Sequence, residues 1–308
     1  MSGDQSSKGI LSFVPLFGPF LILWFIFWLV PLFTGLELSF TGHVSEMASD
    51  GTMVSEYKAT WGNYQAALGD SKWVKSLENT TLFVVGSITS TLTLSFFLAS
   101  VIFRMHRVSQ AICLFLLIVP SLALPGTLAK LFYLFFHGKS GVLNQFLVMP
   151  LGFQPVNWMM NPDWILPCLV FQSVWRWTGL ITLLLFCGMQ AIPRWQFETA
   201  SLEGANRGMV LQTILFPGVR HLLWFAAIFL LVDGVAAFSG AYNLLGGSGG
   251  VLDAGLLFVT YVYQVAFPGG SGRFDLPLAS AMSLAVAIAT TGIAYFLIWS
   301  SSKKGVAR

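Results

Sequence analysis

The sequence predicts an all-α integral membrane protein with six transmembrane helices and both termini in the cytoplasm. Three observations carry that expectation. The 308 residues are 56% hydrophobic and only 9% charged, where a soluble domain is roughly 25% charged, and so few charges cannot cover a water-exposed surface of this size. Six apolar runs, approximately 10–33, 80–103, 111–136, 164–187, 222–245 and 276–300, each exceed the roughly 20 residues with which a helix crosses a bilayer. Lysine and arginine, finally, concentrate in alternate connectors between those runs.

The elements follow in order. Residues 1–9 form a short polar tail. The run 10–33 is longer than the roughly 7–15 residues of a signal-peptide core and no small-x-small cleavage site follows it, so it is expected to stay attached. None of the runs has the alternation of a barrel strand, and a lone apolar strand would leave its backbone unpaired in lipid, which leaves helices. Residues 34–79 read as an outer loop whose segment WGNYQAALGDSKWVKSLENT suits the interface, with Trp61, Tyr64 and Trp73 in the headgroup zone and Leu68 and Leu77 toward lipid. The third run holds Pro120 and Pro125, which remove backbone donors and are expected to kink it, and Lys130 near its outer end, able to snorkel.

Residues 137–163 read as a second outer loop with one short helix near Leu143–Leu147. The loop 246–275 begins GGSGGVLDAG and ends AFPGGSGRFD, and its glycines permit an extended, mobile excursion or a plain flexible linker. Residues 301–308 close the chain as a tail, so 10–300 is expected to be a single membrane domain. Cys113, Cys168 and Cys187 all lie in apolar runs and are odd in number, which implies neither a disulfide framework nor a metal cluster.

Six spans put both termini on one side. That side collects Lys8, Arg104, Arg107, Arg194, Arg207, Arg220, Lys303, Lys304 and Arg308. The other side has Lys58, Lys72, Lys75, Lys139 and Arg273 scattered over longer loops, together with Glu37, Glu46, Asp50, Glu56, Asp70 and Glu78. The first side is therefore expected to be cytoplasmic. A net charge of +3 is too small to argue for a nucleic-acid partner.

The cytoplasmic connector 188–221 is unlike the rest of the chain. Its stretch FETASLEGANRGMVLQTILFPG places two acids, an arginine, an asparagine and glycines between apolar runs. Pro193 suits a first helical turn, where its missing N–H would be unpaired anyway. Glu198 lies early in that helix, where negative charge suits the dipole. Gly204 is a natural stop, and a second segment, Arg207–Phe216, leads to Pro217 and the fifth span. The stretch Phe197–Gly218 holds no histidine, cysteine or phosphate-cradling loop, so nothing in its shape is catalytic. A stiff polar knob suggests a cytoplasmic partner; an ordinary loop without one is the alternative.

Here the sequence resembles a known family. Glu198-Thr199-Ala200, Gly204-Ala205, Ile214 and Pro217 are similar to the Glu-Ala-Ala…Gly…Ile-x-Leu-Pro signature of permease subunits in bacterial ATP-binding-cassette importers. Thr199 stands where alanine is usual, Glu203 where aspartate is usual and Phe216 where leucine is usual. Trp175-x-x-x-Gly179 and the run Gly188-Met189-Gln190-Ala191-Ile192-Pro193 resemble the carbohydrate-type subfamily, which includes maltose and glycerol-phosphate permeases. GNYQAAL with ENTTLF, and Phe238…Tyr242-x-Leu244 with Gly246-Gly247, Tyr261-x-Tyr263 and Ala266-Phe267, resemble it too, although Ser239 replaces an aspartate common there.

The resemblance implies a type I importer permease in the bacterial inner membrane, which hydrolyses nothing and binds no cofactor itself. ATP and magnesium would be used by two ATPase subunits. It further implies a second permease chain, identical or more often homologous, and an extracytoplasmic solute-binding protein. The solute would be a sugar, oligosaccharide or polyol moved by alternating access. Glu198, Thr199, Ala200, Glu203, Gly204, Ala205 and Arg207 would form the coupling element held by the ATPase.

Arg176 and Asp233 lie near the middle of spans four and five, at similar depth. Ionisable groups there are costly, so they should face the interior, pair, or line a watery path. One reading is a substrate path formed by Trp175, Arg176, Trp177, Asp233, Phe238, Ser239, Tyr242 and Asn243; the other is a buried ion pair locking two helices. Two rival classes remain. An intramembrane enzyme lacks parts, since His43, His106, His137 and His221 all lie in loops or at span ends. An ion-coupled secondary transporter would favour inverted repeats, and no internal repeat is visible.

Overall fold

A computed structural model describes residues 17–47, 53–267 and 274–303. They fall into two compact units, one from residues 1–70 and 264–286, the other from 71–263 and 287–308. The tail 1–9, the start of the first apolar run, Lys8, Asp50, the glycine cluster at 268–273 with Arg273, and Lys304 and Arg308 lie outside the described residues.

In the first unit, α1 (Phe17–Ser39) is apolar on all sides and almost wholly exposed, with Phe27 73% and Phe33 62% accessible. Such a helix is stable only against lipid or protein. A hairpin follows: β1 (Thr41–Met47) pairs antiparallel with β2 (Met53–Ala59), Thr41 opposite Ala59 and Met47 opposite Met53. The sequence marks this stretch only as an outer loop. Neither strand has a clean apolar alternation, so the period that reveals strands is missing. Next, α2 (Gly62–Gly69) is fastened to the end of α1. Asn63 Nδ2 donates to the Ser39 and Thr41 carbonyls, each at 3.0 Å, and the Tyr64 hydroxyl lies 2.9 Å from Ser39 Oγ. The Asn-Tyr pair of the sequence is thus a clasp. Leu68 is exposed.

The second unit is a helical bundle. Its elements are α3 (Ser71–Ile102), α4 (Arg107–Leu122), α5 (Pro125–Phe135), α6 (Pro162–Gln190), α7 (Arg194–Leu202), α8 (Arg207–Val235), α9 (Ser239–Leu244) and α10 (Phe258–Ala266). The last helix, α11 (Leu276–Lys303), begins in the first unit and ends in the second. Asp275 caps it, accepting from the Leu278 N–H at 3.0 Å.

α3 and α6 pack along a stripe of small and polar residues: Ser76, Thr80, Ser87, Thr91, Ser95 and Ala99 are all buried on α3. Without a hydrophobic drive between helices in lipid, such residues let backbones approach and bond. Ser95 Oγ donates to the Thr178 carbonyl at 3.0 Å, and a Cβ on Gly86 would lie 3.4 Å from Val170. Both contacts advance together along the chain, so α3 and α6 run parallel. The segment between them must therefore return across the bundle.

That return is made by α4 and α5, bent by 101° relative to one another. The expected single kinked span 111–136 is two helices. Ala123 and Leu124 are extended, with ψ of 141° and 135°, because the residue before a proline is driven out of the helical region; Pro125 then opens α5. The pair nevertheless travels the length of α6. Gly179 has no side chain because a Cβ there would strike the Leu117 carbonyl. Farther along, Phe132 and Phe136 pack on Phe171 at 5.9 and 6.1 Å, and Trp158 meets Trp164 at 5.1 Å. Counted as one crossing, this bent pair brings to six the segments among the described residues that are long and apolar enough to span a membrane.

Other boundaries shift for local reasons. α3 starts at Ser71, about two and a half turns earlier than the apolar run, and Trp73 on its first turn is buried at 5% exposure. Span five begins at Arg207 and ends at Val235; the expected stretch to Leu245 breaks at Ala236–Phe238 before α9. Two wide π turns, Phe25–Leu29 and Leu211–Leu215, each end two residues before a proline, Pro31 and Pro217. They accommodate the carbonyl that a proline cannot bond and would otherwise crowd. Between α5 and α6 a similar turn, Asn144–Val148, stands where a short helix was expected. Asn144, fully buried, donates to the Gly138 and Val156 carbonyls and accepts from the Val156 N–H and Trp158 Nε1.

The loop after α9 is not an extended excursion over its described part. Asn79 Nδ2 donates to the Asp253 and Leu256 carbonyls at 2.8 and 3.2 Å, and Thr80 Oγ1 accepts from the Phe258 N–H at 2.8 Å. Lys72 pairs with Asp253 at 3.2 Å. Leu256, Leu257 and Phe258 are buried beneath. The loop is a cap fixed to the start of α3.

Candidate functional site

The connector folds into α7, a turn, and the first turns of α8. Pro193, in extended conformation with ψ of 135°, stands just before the helix rather than inside its first turn. The exit from α7 is closed by two backbone bonds: Ala205 N–H to the Ala200 carbonyl at 2.9 Å and Gly204 N–H to the Ser201 carbonyl at 3.2 Å. Gly204, at φ +73°, makes the left-handed residue this closure needs. Asn206 then caps α8, accepting from the Met209 N–H at 2.9 Å.

One face of α7 is seated. Phe197 meets Phe103 at 5.8 Å and Ala200 is buried. The Arg104 guanidinium reaches the Arg207 carbonyl at 3.4 Å. Glu198, Thr199, Glu203 and Gly204 are exposed with Arg207, and Leu202 stands out at 90% exposure beside Trp195 at 63%. The base is rigid: a Cβ on Gly188 would collide with Leu222, and one on Gly218 would lie 2.5 Å from Ile192. These glycines let α6 and α8 close tightly beneath the knob. A cleft of about 830 Å³ beside α7 is lined by Phe103, Arg107, Gln110, Gln190, Arg194 and Glu198.

A second site lies within the bundle. A cavity of about 250 Å³ opens where α8 breaks before α9 and where α5 begins at Pro125. Non-helical backbone at membrane depth is tolerated where it is covered by protein or lines a watery cavity, and both breaks border this one. Gln172, Ser173, Arg176 and Trp177 reach it from α6, Asp233 from α8, and Phe238 and Ser239 from the break and α9.

Trp177 organises the polar wall. Its indole Nε1–H donates to Asp233 Oδ2 at 2.7 Å, and the Arg176 guanidinium lies 4.5 Å from the centre of its ring, a cation–π distance. Among the described residues no ion pair joins Arg176 to Asp233, and Arg176 Nε is buried without a hydrogen-bond partner. The remaining residues named from the sequence lie elsewhere. Trp175 is 53% exposed and stacks on Phe171, because one residue along a helix turns the side chain by about 100°. Tyr242 joins Phe238 and Tyr263 in a ring cluster with centroids 4.9–5.4 Å apart. Asn243 donates to the Ser239 carbonyl and lines a separate shallow hollow. Gln172 and Ser173 were not anticipated. Each precedes Arg176 or Trp177 by four residues, the spacing of one helix face, and that could have found them.

No family model matches the chain. Known proteins do. A probable ABC transporter permease protein of Bacillus subtilis, YesP, is 28% identical over 284 residues, covering 92% of this chain and 88% of that protein. The xylose/arabinose import permease XacH of Haloferax volcanii is 32% identical over 183 residues, 59% of this chain and 57% of its own length. LacF, a lactose transport system permease of Rhizobium radiobacter, is 23% identical over 81% of both chains. Among solved structures, a chain of a bacterial ABC transporter importing the acidic polysaccharide alginate superposes with a TM-score of 0.79 at 17% identity, covering 97% of this chain and 99% of that one. Sequence and fold agree in what they resemble: over most of its length the chain is similar to permease proteins of ATP-binding-cassette transporters, and it shares the fold of the alginate importer chain.

Proposed function

We propose that this chain is one of two membrane-spanning subunits through which an ATP-driven importer moves a sugar, oligosaccharide or polyol into the cell. The observation that carries the reading is mechanical. The exposed knob α7 continues through a two-bond closure and an Asn cap into α8, a single 29-residue helix whose far end holds Asp233 at the cavity. At about 1.5 Å per residue such a rod is roughly 43 Å long. Apart from the turn at Gly204 and the wide turn at Leu211–Leu215, one helix therefore joins the knob to the cavity wall.

In this reading both termini and α7 face the cytoplasm, and the protein resides in the bacterial inner membrane. Glu198, Thr199, Ala200, Glu203, Gly204, Ala205 and Arg207 form the surface gripped by an ATPase, two copies of which bind ATP and magnesium. A second permease chain, homologous to this one, completes the path and covers the apolar faces that α1 leaves open. An extracytoplasmic binding protein delivers the solute to the cap side. An alginate transporter of the same fold, with a TM-score of 0.76, is known in complex with a pentasaccharide-bound periplasmic protein, which supports such a partner. Closure of the ATPase pair would push α7, turn the bundle outward-open and admit the sugar to the cavity.

Two broken helices bordering a polar cavity are also found in ion-coupled transporters, so the test must separate the two. Sugar uptake is measured in vesicles containing the complete importer and in vesicles lacking only the ATPase. Uptake lost with the ATPase supports the proposal. Uptake that persists without it and follows an imposed ion gradient overturns it.

A further inference from the structure

We infer that the cavity between α6 and α8 accepts a neutral, hydroxyl-rich sugar unit and excludes its anionic counterparts, with Asp233 setting that preference; the inference rests on the sugar-import reading above. Two charged side chains line the cavity, Arg176 and Asp233. Their formal charges cancel, so the site is already balanced by its own side chains. An added charge at membrane depth would be uncompensated, and such charges are costly.

The balance is not a closed ion pair. Trp177 stands between the two groups, giving its N–H to Asp233 Oδ2 at 2.7 Å and its ring face to Arg176 at 4.5 Å. Each charge therefore keeps capacity for a ligand. Arg176 Nε is buried with no acceptor, and the indole occupies only one oxygen of the Asp233 carboxylate. A hydroxyl both donates and accepts. Neighbouring hydroxyls of one sugar ring can donate to Asp233 and accept from Arg176 together, and Gln172, Ser173 and Ser239 add neutral partners in the same wall.

A carboxylate or phosphate satisfies Arg176 alone. It meets the Asp233 charge in a medium that screens little and leaves the site net negative. The aromatic cluster of Phe238, Tyr242 and Tyr263 begins at the cavity wall through Phe238 and offers apolar ring faces, which are indifferent to this charge distinction.

The test uses the complete importer in liposomes with its binding protein. Pairs of sugars sharing one skeleton are offered, a neutral hexose or disaccharide beside the corresponding uronic acid. Affinity of the binding protein for each sugar is measured separately, and uptake is expressed per occupied binding protein. The expected result is a preference of about tenfold or more for the neutral member, tenfold being about 1.4 kcal/mol of discrimination. Asp233→Asn keeps an acceptor for Trp177 while removing the charge, and should narrow or invert the ratio. Arg176→Gln should steepen it. Equal passage of acid and neutral sugar in the unaltered protein overturns the inference. So does an unchanged ratio in both variants. Should Asp233→Asn fail to assemble, the Arg176→Gln ratio decides alone. Failure of every sugar, neutral or acidic, overturns the carbohydrate reading itself.

Discussion

Gly204 and Gly255 mark the same letter in the sequence and opposite physics in the structure. Gly204, at the exit of α7, sits at φ +73° with nothing within 4 Å of where a Cβ would stand. It is there for its backbone. Gly255, in the cap after α9, is needed for its missing side chain: a Cβ would lie 2.5 Å from Ile165 and 2.6 Å from Leu245, and Ile165 is wholly buried. The connector is thus a lightly packed knob held by local closure, and the cap is a close-packed plug held by contacts from α3 and α6.

The same substitution at both sites breaks or sharpens this contrast. Gly255→Ala is expected to destabilise the purified protein by about 3 kcal/mol, since an overfilled site with immobile neighbours must shift. Asn79→Ala, which leaves two carbonyls of the cap without their donor, should cost about 2 kcal/mol. Gly204→Ala pays left-handed strain alone, about 1 kcal/mol, and should lower ATP-driven uptake more than it lowers stability. Lys72→Met removes an ion pair whose partners are 58% and 31% exposed, and is expected to change stability by less than about 1 kcal/mol. Thermal unfolding in detergent orders all four. A larger effect at Gly204 than at Gly255 would invert the assignment of roles.

The two regions also differ in how far the sequence revealed them. The knob was legible because its signals are local: a proline at the start, a glycine at the stop, polar residues between two apolar runs. The long apolar helices were legible for the same reason, as length and composition mark them. The cap was not. GGSGGVLDAG suggests mobility, and nothing within it announces that Asn79 and Thr80, more than 170 residues earlier, will bond its backbone. The burial of Trp73 was not legible because an aromatic beside charged residues fits an interface as well as a core. The break at Leu124 was legible only as a kink, since the pre-proline restriction acts at one or two residues and its angle is set by what α5 packs against. The hairpin had no period to read.

Within the cavity, Arg176 and Asp233 are conspicuous as rare charges in apolar runs. Their relationship is not, because whether Trp177 separates or flanks them depends on rotamers that sequence spacing leaves open.

The central claim is that α7 is the surface a separate ATPase grips. Leu202 is its most exposed apolar side chain. The most direct measurement replaces Leu202 with a photoreactive phenylalanine in the complete importer and identifies its adducts under light. The expected adduct is the ATPase subunit, with a yield that changes when ATP is bound. Adducts with lipid alone, or a full yield of uptake-competent importer with no adduct to the ATPase, would contradict it.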